Sequence, residues 1–238
     1  MNNIIIVTGA SKGIGLAISK LLNEKGFELI TIARSSLKLD TFLYPHRITH
    51  IQADLNELVL DRVELDRIFE GLNIIGLINN AGINEDGSSL DFSLESWNSV
   101  INTNLTSPAL LSQYVVRKAI INKTDLSIVN ISSQAKDKGS AKYSYASSKA
   151  GLHGLTVAMA KDLGKYKIRV NSISPSLVKT NMTKNFFESK NAQTLIDSQI
   201  PLQRCGEPID IAELALFLIS NKSSYITGQD LQINGGYF

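Results

Sequence analysis

Two side chains capable of proton transfer, Tyr145 and Lys149, lie four residues apart in a segment with a helical pattern. On a helix, this spacing places the phenol and the ammonium group on one face, one turn apart. A phenol can donate its proton to a developing alkoxide when a nearby cation stabilises the phenolate that is left. The pair is therefore typical of an enzyme that reduces a carbonyl group.

The chain contains a second pair with the same spacing, Tyr114 and Lys118, so spacing alone does not identify a site. Tyr145 differs because it follows a predicted strand that ends in two serines, Ser132 and Ser133. Ligands bind at the carboxyl ends of the strands in open parallel sheets. The corresponding positions before Tyr114 are an isoleucine and an asparagine. We therefore predict catalysis at Tyr145 and a structural role for Tyr114 within its long helix.

A glycine-rich turn, Thr8–Gly15, follows the first predicted strand and leads into a helical pattern. Glycine tolerates positive φ and lets a ligand approach the backbone. The free N–H groups and the positive dipole end of the following helix suit a pyrophosphate. The alternative is a plain turn, but its place in a strand–helix–strand unit favours nucleotide binding. Its spacing, G-x-x-x-G-x-G, differs from the G-x-G-x-x-G of most dinucleotide folds.

Short β-branched runs alternate with helical segments along the chain, which predicts a parallel sheet with helices on both faces. The predicted strands are Ile4–Val7, Glu28–Ile32, Ile48–Gln52, Ile74–Ile78, Ser127–Ile131, Ile168–Ile173 and Leu231–Ile233. The predicted helices include Ile14–Lys25, Leu94–Ile121, Ser144–Lys165 and Ile209–Ser220. Segment Ser176–Arg204 is predicted to be a long polar connection that acts as a mobile lid over the substrate, because long connections are often functional.

The composition of the 238 residues narrows the class of protein. Hydrophobic residues make up 43% and charged residues 19%, which excludes a disordered chain. A net charge of +2 argues against a nucleic-acid-binding protein. The single cysteine, Cys205, excludes an intrachain disulfide and a paired-cysteine zinc site. We expect one domain over residues 1–238, with no signal peptide or membrane span and a cytoplasmic location.

Considered together, the motifs resemble those of the short-chain dehydrogenase/reductase family over essentially the whole chain. The residues that carry the resemblance are Thr8-Gly-Ala-Ser-Lys-Gly-Ile-Gly15, Asp54, Asn79-Asn-Ala-Gly82, Asn104, Ser133, Tyr145-x-x-x-Lys149, Asn171, Pro175, Thr180, Tyr225-Ile-Thr-Gly228 and Asn234-Gly-Gly236. The segment Arg204–Ala212 and the C-terminal motif most resemble bacterial 3-oxoacyl-[acyl-carrier-protein] reductases. The resemblance implies a single Rossmann-like α/β domain with a doubly wound, seven-stranded parallel sheet.

The resemblance also implies catalytic roles. Tyr145 would be the general acid in reduction, and Lys149 would lower the pKa of Tyr145 and bind the nicotinamide ribose. Ser133 would hydrogen-bond the substrate carbonyl, although Ser132 would restore the usual family spacing to the tyrosine. Asn104 would hold a water in the proton relay. Considered alone, Asn104 could equally be a buried amide that bonds the backbone, and Ser133 a turn hydroxyl.

The implied cofactor is NADPH or NADP⁺. The implied cofactor-binding residues are Gly9, Ser11, Lys12, Gly13, Ile14, Gly15, Arg34, Ser35, Asp54, Leu55, Asn80, Ala81, Gly82, Tyr145, Lys149, Pro175, Val178 and Thr180. Among them Asp54 would meet the adenine edge, unless it only caps the following turn. Asn80 to Gly82 would line the adenine ribose, and Thr180 would contact the carboxamide.

The cofactor preference is predicted from the end of the second strand. An NAD enzyme of this fold places a carboxylate there to bind the ribose 2′-OH, whereas this chain has Arg34 and Ser35. Arg34 can pair with a 2′-phosphate, and Lys12 is a second cation within reach of it. The alternative is that both cations are solvated surface charges. Ser176 replaces the glycine that the family usually has after Pro175.

The predicted substrate is a 3-oxoacyl group on acyl carrier protein, or otherwise a free small ketone, sugar or secondary alcohol. A protein that senses dinucleotides without turnover is a further alternative. Five lysines are predicted near the rim of the active site, where an acidic carrier protein would dock: Lys123, Lys136, Lys138, Lys165 and Lys167. We expect a homo-oligomer, a tetramer or a dimer, and no nucleic-acid partner. No metal site is predicted, because His46 and His50 are expected to be solvated loop histidines.

Overall fold

The computed structural model describes residues 3–84, 91–140, 142–189 and 192–237. In these ranges seven parallel strands form one sheet, in the order β3-β2-β1-β4-β5-β6-β7. The strands are β1 Asn3–Thr8, β2 Glu28–Ala33, β3 Ile48–Gln52, β4 Asn73–Asn79, β5 Leu126–Ile131, β6 Ile168–Pro175 and β7 Asp230–Ile233. The predicted doubly wound α/β fold is confirmed.

Ten α-helices lie within the described ranges: α1 Gly13–Glu24, α2 Leu55–Leu58, α3 Arg62–Phe69, α4 Leu94–Ile101, α5 Ser107–Asn122, α6 Ala135–Lys138, α7 Tyr143–Leu163, α8 Lys184–Phe187, α9 Ala192–Gln199 and α10 Pro208–Ile219. Short 3₁₀ turns occur at Leu39–Thr41, Pro45–Arg47, Gly164–Tyr166, Asn181–Thr183 and Asn221–Ser223. None of the helices in the described part of the chain is long and apolar enough to cross a bilayer.

The strand order reverses at the centre of the sheet, between β1 and β4. From β1 the chain builds outward to β2 and β3, and it then returns to add β4 to β7 on the other side. Successive residues of β1 point to opposite faces, where Ile4 and Ile6 join one buried cluster and Ile5 and Val7 join the other. Because both faces are covered, the strand is apolar at every position from Ile4 to Val7. The carboxyl ends of β1 and β4 form the crevice in which such sheets bind ligands.

The long helix predicted over Leu94–Ile121 is interrupted. A π-helical turn, Asn102–Thr106, separates α4 from α5, and the N–H of Ser107 donates to the carbonyl of Asn102. Pro108 has no N–H to donate to the carbonyl four residues earlier, so the regular ladder cannot continue through this point. The turn is therefore a local consequence of the proline. It changes the directions in which the side chains around Asn104 point.

Segment 176–204, predicted as a long connection, contains a 3₁₀ turn and the helices α8 and α9. Ile196, Ile200 and Cys205 form a small hydrophobic cluster of their own with neighbouring apolar side chains. The base of the segment is fixed, because Gly206 exchanges backbone hydrogen bonds with Leu177 and Lys179 at 2.9 Å each. The short helices were not predicted, whereas the mobility of the segment stays a prediction.

Candidate active site

The glycine turn after β1 approaches the end of β4 too closely for side chains. Gly9 and Gly13 have φ of +65° and +56°, which favours glycine. A Cβ on Gly15 would lie 2.3 Å from the carbonyl oxygen of Gly9. Lys12, at the N-cap of α1, makes no side-chain cap. The first N–H groups of α1 are therefore free of a side-chain acceptor at the cap, as an anion site requires.

Thr8 and Asn80 join the ends of the two central strands. The backbone N–H groups of Asn80 and Ala81 both donate to Thr8 Oγ1 at 3.0 Å. Asn80 Nδ2 donates in return to the carbonyls of Thr8 and Gly9, at 3.0 and 3.2 Å. Asn80 lines the cavity as predicted, but both of its amide hydrogens are used within the protein. Its contribution is to hold the glycine turn in place.

Helix α7 places Tyr145 and Lys149 on one face. Lys149 Nζ lies 5.7 Å from the centre of the Tyr145 ring and donates a 2.8 Å hydrogen bond to the carbonyl of Ile131, the last residue of β5. The lysine is only 4% exposed. Burial lowers the pKa of Lys149 to about 8, because the charged form loses hydration. The side chain is thus an ammonium group held against the carboxyl edge of the sheet.

The two serines after β5 differ in what they contact. Burial, the larger effect, keeps the pKa of Tyr145 above its usual value, although the Ser133 side chain interacts with the Tyr145 phenol and lowers its pKa. The effect of Lys149 that the family resemblance implies, a lowered pKa of Tyr145, stays a prediction. Ser132 instead donates to the backbone carbonyl of Lys149 at 3.2 Å. Ser133 is therefore the serine beside the phenol.

Asn104, in the π-helical turn, binds the backbone of the residue Ile83, which lies just after β4. Its Oδ1 accepts from the Ile83 N–H and its Nδ2 donates to the Ile83 carbonyl, both at 2.9 Å. Nδ2 also donates to Ser148 Oγ at 3.0 Å, which links the π-helical turn to α7. Both amide hydrogens are committed, so only a lone pair of Oδ1 remains on this side chain. The buried-amide alternative describes these contacts, and the water-holding role stays a prediction.

The second tyrosine–lysine pair has an ordinary structural environment. The Tyr114 hydroxyl donates to Asp66 at 2.6 Å, and Lys118 forms an ion pair with the same carboxylate at 2.8 Å. Tyr114 is 4% exposed and packs against Phe69 in the core. It lies outside the cavity that Tyr145 lines. The structural role predicted for Tyr114 fits these contacts.

A cavity of about 680 Å³ runs along the carboxyl ends of the strands. It is lined by all but two of the residues predicted for the site: Gly9, Ser11, Lys12, Gly13, Ile14, Arg34, Ser35, Asp54, Leu55, Asn80, Ala81, Gly82, Ser133, Tyr145, Lys149, Pro175, Val178 and Thr180. The two exceptions, Gly15 and Asn104, lie behind the lining and support it through the contacts described above.

Further lining residues were not predicted. They include Ile83, Asn84, Thr103, Ile131, Asn181, Met182 and Thr183, whereas Ser132, the alternative catalytic serine, also lines the cavity. Asn84 is notable because its Oδ1 is buried and has no hydrogen-bond partner among the described residues. In the sequence, the signal that could have identified Asn84 is its position two residues after the Asn79–Gly82 motif. Residues 181–183 have no such signal in the sequence, because their approach to the cavity depends on the fold of segment 176–204.

The contacts of Asp54 include the capping role considered for it, and its contact with the adenine edge stays a prediction. Its Oδ1 accepts from the Asn56 N–H at 2.9 Å and caps α2, while the residue also lines the cavity. Thr180 likewise lines the cavity and lies against the glycine turn, where a Cβ on Gly13 would be 3.4 Å from Thr180 Cγ2. Ser176 does not have positive φ, so this departure from the family glycine causes no backbone strain.

Comparison with known proteins agrees with this geometry. Residues 9–238 match the family adh_short_C2, described as enoyl-(acyl carrier protein) reductase. The chain is 37% identical to the 3-oxoacyl-[acyl-carrier-protein] reductase FabG of Chlamydia trachomatis, over 99% of this chain and 97% of that protein. This protein belongs to the short-chain dehydrogenase/reductase family.

Two solved structures extend the comparison. One is a 4-hydroxyisoleucine dehydrogenase complexed with NADH, with a TM-score of 0.90 and 34% identity over 99% of this chain and 98% of that chain. The other, from Agrobacterium tumefaciens, is a 2-deoxy-D-gluconate 3-dehydrogenase by its given description, with bound NADP, a TM-score of 0.92 and 29% identity over 99% and 96%. This family member is therefore an oxidoreductase of the hydroxyl/ketone class that uses a nicotinamide dinucleotide.

The residues of this dehydrogenase/reductase fit such a cofactor. The cavity extends from the end of β2 to the end of β5, three interstrand spacings or about 14 Å. The glycine turn and α1 lie at its centre, and Lys12 and Arg34 are exposed, with no ion pair or side-chain hydrogen bond to any described residue. Ser35 Oγ lies 2.9 Å from Ser11 Oγ, so the two turns that carry these cations are joined.

The lysines predicted at the rim are mostly elsewhere. Lys123 lies just before β5, and Lys165 and Lys167 lie just before β6. They are therefore at the amino edge of the sheet, one strand length or about 20 Å from the cavity edge. The prediction is wrong for these three, because parallel strands place the residues before them on the side away from the site.

The other two lysines are at the correct edge but are engaged. The Lys136 side chain is only 7% exposed and contacts Asp137 and Asp230, with Nζ 3.1 Å from an Asp230 oxygen. Lys138 lies over the ring of Tyr237. Lys136 is thus buried in an ion pair and does not present a free charge to a docking protein.

The two histidines were predicted to be solvated in a loop. His46 is exposed within a 3₁₀ turn, as expected. His50 instead lies on β3, where Nδ1 is 3.0 Å from Thr31 Oγ1 and Nε2 is 3.1 Å from the carbonyl oxygen of Ser35. The prediction is therefore wrong for His50, which belongs to a hydrogen-bonded chain beside the cavity.

Proposed function

We propose that this protein is an NADPH-dependent reductase of ketones. One observation carries the proposal: Tyr145, Lys149 and Ser133 meet at the β5 end of a cavity whose β2 end presents the unpaired cations Lys12 and Arg34. The first group suits proton donation to a carbonyl oxygen. The second suits a phosphate.

In the proposed reaction the bound nicotinamide supplies the hydride. The Ser133 hydroxyl orients the substrate carbonyl, and the Tyr145 phenol donates its proton to the oxygen as negative charge develops. Lys149 supplies a buried positive charge that stabilises the phenolate left behind. The raised pKa of Tyr145 keeps the phenol protonated at neutral pH, as a general acid must be.

The preference for NADPH rests on Arg34, Ser35 and Lys12, because the end of β2 carries no carboxylate. Charge-assisted hydrogen bonds contribute about 1.5–3 kcal/mol each, so two of them favour NADPH by roughly a hundredfold or more. Replacing Arg34 with aspartate tests this directly. We expect Arg34→Asp to erode or reverse the ratio of kcat/KM for NADPH over NADH, with little change in kcat at saturating cofactor. A wild-type enzyme that uses both cofactors equally well would contradict the preference.

For the substrate, we propose a 3-oxoacyl thioester on acyl carrier protein. The support is the 37% identity to a 3-oxoacyl-[acyl-carrier-protein] reductase over nearly the whole of both chains. The competing candidate, a free small ketone, sugar or other secondary alcohol, is supported by the similarity to solved dehydrogenases of a hydroxy amino acid and of a sugar acid. Steady-state NADPH oxidation with acetoacetyl thioesters and with a panel of small ketones separates them. A higher kcat/KM for any free ketone than for the carrier-bound thioester would overturn our choice.

We also propose a homo-oligomer. On α7, Ala150 and Val157 are exposed on the helix that carries the catalytic tyrosine, whereas Gly151 packs internally, since a Cβ there would lie 2.7 Å from Leu105. An exposed stripe of small and β-branched residues suits helix packing against a second copy. Sedimentation equilibrium of the wild type and of Val157→Glu tests it, and a monomeric wild type would exclude it.

A further inference from the structure

The turn that carries Arg34 and Ser35 lies beyond the hydrogen bonds of the sheet. Strand β2 ends at Ala33, whose carbonyl still accepts from the backbone N–H of Ala53. The next two carbonyls, of Arg34 and Ser35, have no backbone donor among the residues that the structure describes. They accept from side chains instead: Gln52 Nε2 donates to Arg34 O at 3.1 Å, and His50 Nε2 is 3.1 Å from Ser35 O.

Both donors come from the edge strand β3. Residues 50 and 52 are two apart, so their side chains leave β3 on the same face. They extend the pairing between β2 and β3, whose register joins Thr31 to His50 and Ala33 to Gln52. Because an exposed turn would otherwise adopt many conformations, two donors at consecutive carbonyls restrict it strongly.

The hydrogen-bonding roles of His50 follow from its neighbours. The carbonyl of Ser35 can only accept, so Nε2 of His50 carries a proton and donates. Nδ1 is then free to accept from the buried Thr31 hydroxyl at 3.0 Å. Ser35 is also bonded through its hydroxyl to Ser11 in the glycine turn. A continuous chain therefore runs from Thr31 through His50 and Ser35 to Ser11.

We propose that His50 and Gln52 are positioning residues for discrimination between NADPH and NADH. Neither lines the cavity. They act through the backbone of Arg34 and Ser35, by holding the guanidinium and the hydroxyl where a 2′-phosphate is bound. This inference rests on the proposed NADPH preference.

The test uses calorimetric binding of two fragments, 2′,5′-ADP and 5′-AMP, which differ only in the 2′-phosphate. We expect His50→Phe, which keeps a planar ring but no donor, to weaken 2′,5′-ADP binding about three- to tenfold, the effect of one lost hydrogen bond. Binding of 5′-AMP should be unchanged, and this also verifies that the variant is folded. Gln52→Met should act in the same direction. His50→Gln, which retains a donor, should recover most of the preference, and the exposed His46→Ala is the matched control.

The possible failures are distinguishable. If the wild type binds both fragments equally, the NADPH preference fails and the positioning role fails with it. If the wild type prefers 2′,5′-ADP and His50→Phe keeps the full preference, only the positioning role is overturned. An equal loss for both fragments in His50→Phe and Gln52→Met would mean that β3 has a general structural role, and this too would overturn the proposal.

Discussion

The ammonium nitrogen of Lys149 lies 5.7 Å from the centre of the Tyr145 ring while it donates a hydrogen bond to the carbonyl of Ile131. The positive charge is therefore fixed by the end of β5, not by the flexible stem of the lysine. Because the same strand end leads to Ser133, the Lys149 ammonium group and the Ser133 hydroxyl are both held at the carboxyl end of β5.

Removing the phenol should stop the reaction but leave cofactor binding intact. We expect Tyr145→Phe to lower kcat by about 10²–10⁴, the usual contribution of a positioned acid. Fluorescence titration with NADPH should give a Kd close to that of the wild type. Tyr114→Phe is the matched control, since Tyr114 is bonded to Asp66 outside the cavity. Equal damage from the two substitutions would mean that the site has been assigned to the wrong tyrosine.

The two adjacent serines should have separable effects. Ser133→Ala removes the hydroxyl beside the phenol and should lower kcat/KM by about 10²–10³, as does loss of one donor to a developing oxyanion. Ser132→Ala removes a bond to the Lys149 carbonyl, so it should cost about 1 kcal/mol of stability. Its kcat/KM should change by less than tenfold. Steady-state kinetics and urea denaturation of both variants check this, and a larger kinetic effect at Ser132 would reverse the assignment.

Burial of Lys149 should cost stability at neutral pH. With a folded-state pKa of about 8 against 10.5 for a lysine exposed to water, the charged lysine disfavours folding by about 3 kcal/mol below pH 8. This penalty disappears as the pH rises through 10.5, where the lysine is neutral in both states. We therefore expect Lys149→Met to be inactive, yet more stable than the wild type at pH 7, with a difference that shrinks at pH 10.

Urea denaturation at the two pH values measures this difference, and Lys118→Met is the control. The ion pair with Asp66 raises the pKa of Lys118, so its removal should not stabilise the protein. A Lys149→Met variant that is less stable than the wild type at pH 7 would show that its bond to Ile131 outweighs desolvation.

Gly15 should tolerate no side chain. In Gly15→Ala the new Cβ would lie 2.3 Å from the Gly9 carbonyl oxygen and 2.4 Å from Asn80 Nδ2, so the turn must move. We expect a loss of about 1–3 kcal/mol, typical of overpacking, and weaker NADPH binding. Gly164→Ala is the comparison, because Gly164 is in the right-handed helical region with open space around it. That change should stabilise by about 0.4–1 kcal/mol. Thermal denaturation would refute the argument if the two variants were alike.

Segment 176–204 should exchange amide hydrogens unevenly. Its base, at Leu177, Lys179 and Gly206, is hydrogen-bonded and should be protected in the free protein. The part around Met182, which is 52% exposed, should exchange fast and become slow with NADPH and a ketone bound. Hydrogen-exchange mass spectrometry with and without ligands tests this. Strong and equal protection in both states would exclude a lid.

The sheet could be predicted closely because its signal is local. Strand Glu28–Ala33 is mostly apolar and is buried at every position after Glu28, and the sequence prediction misses only its last residue. The helix interruption at Asn102–Thr106 was missed, although Pro108 was a visible cause. Helices α8 and α9 were missed for another reason. They are four and eight residues long, and they are stabilised by a cluster that includes Ile200 and Cys205 from beyond the helices.

The site was predictable to the extent that its motifs are contiguous in sequence. The glycine turn and the Tyr145–Lys149 pair each lie within a few residues, and both line the cavity. His50 was missed because its partner, Ser35, is on another strand and the contact depends on the register of β2 and β3. The locations of Lys123, Lys165 and Lys167 were mispredicted because a residue before a parallel strand lies at the amino edge of the sheet, whatever its distance in sequence from the site.

The strand order reverses between β1 and β4, and the two halves of the chain contribute different parts of the cavity lining. The residues suited to the adenosine and phosphate groups come from the first half, which ends near Ile83, whereas those suited to the reacting carbonyl begin at Ile131. Substitutions in the second half can therefore change which substrate is bound without changing the adenosine and phosphate end of the cofactor site. A family built in this way can diversify its substrates through one modular half, which accords with about one-third identity between this chain and proteins named for a fatty-acyl ketone and for a hydroxy amino acid.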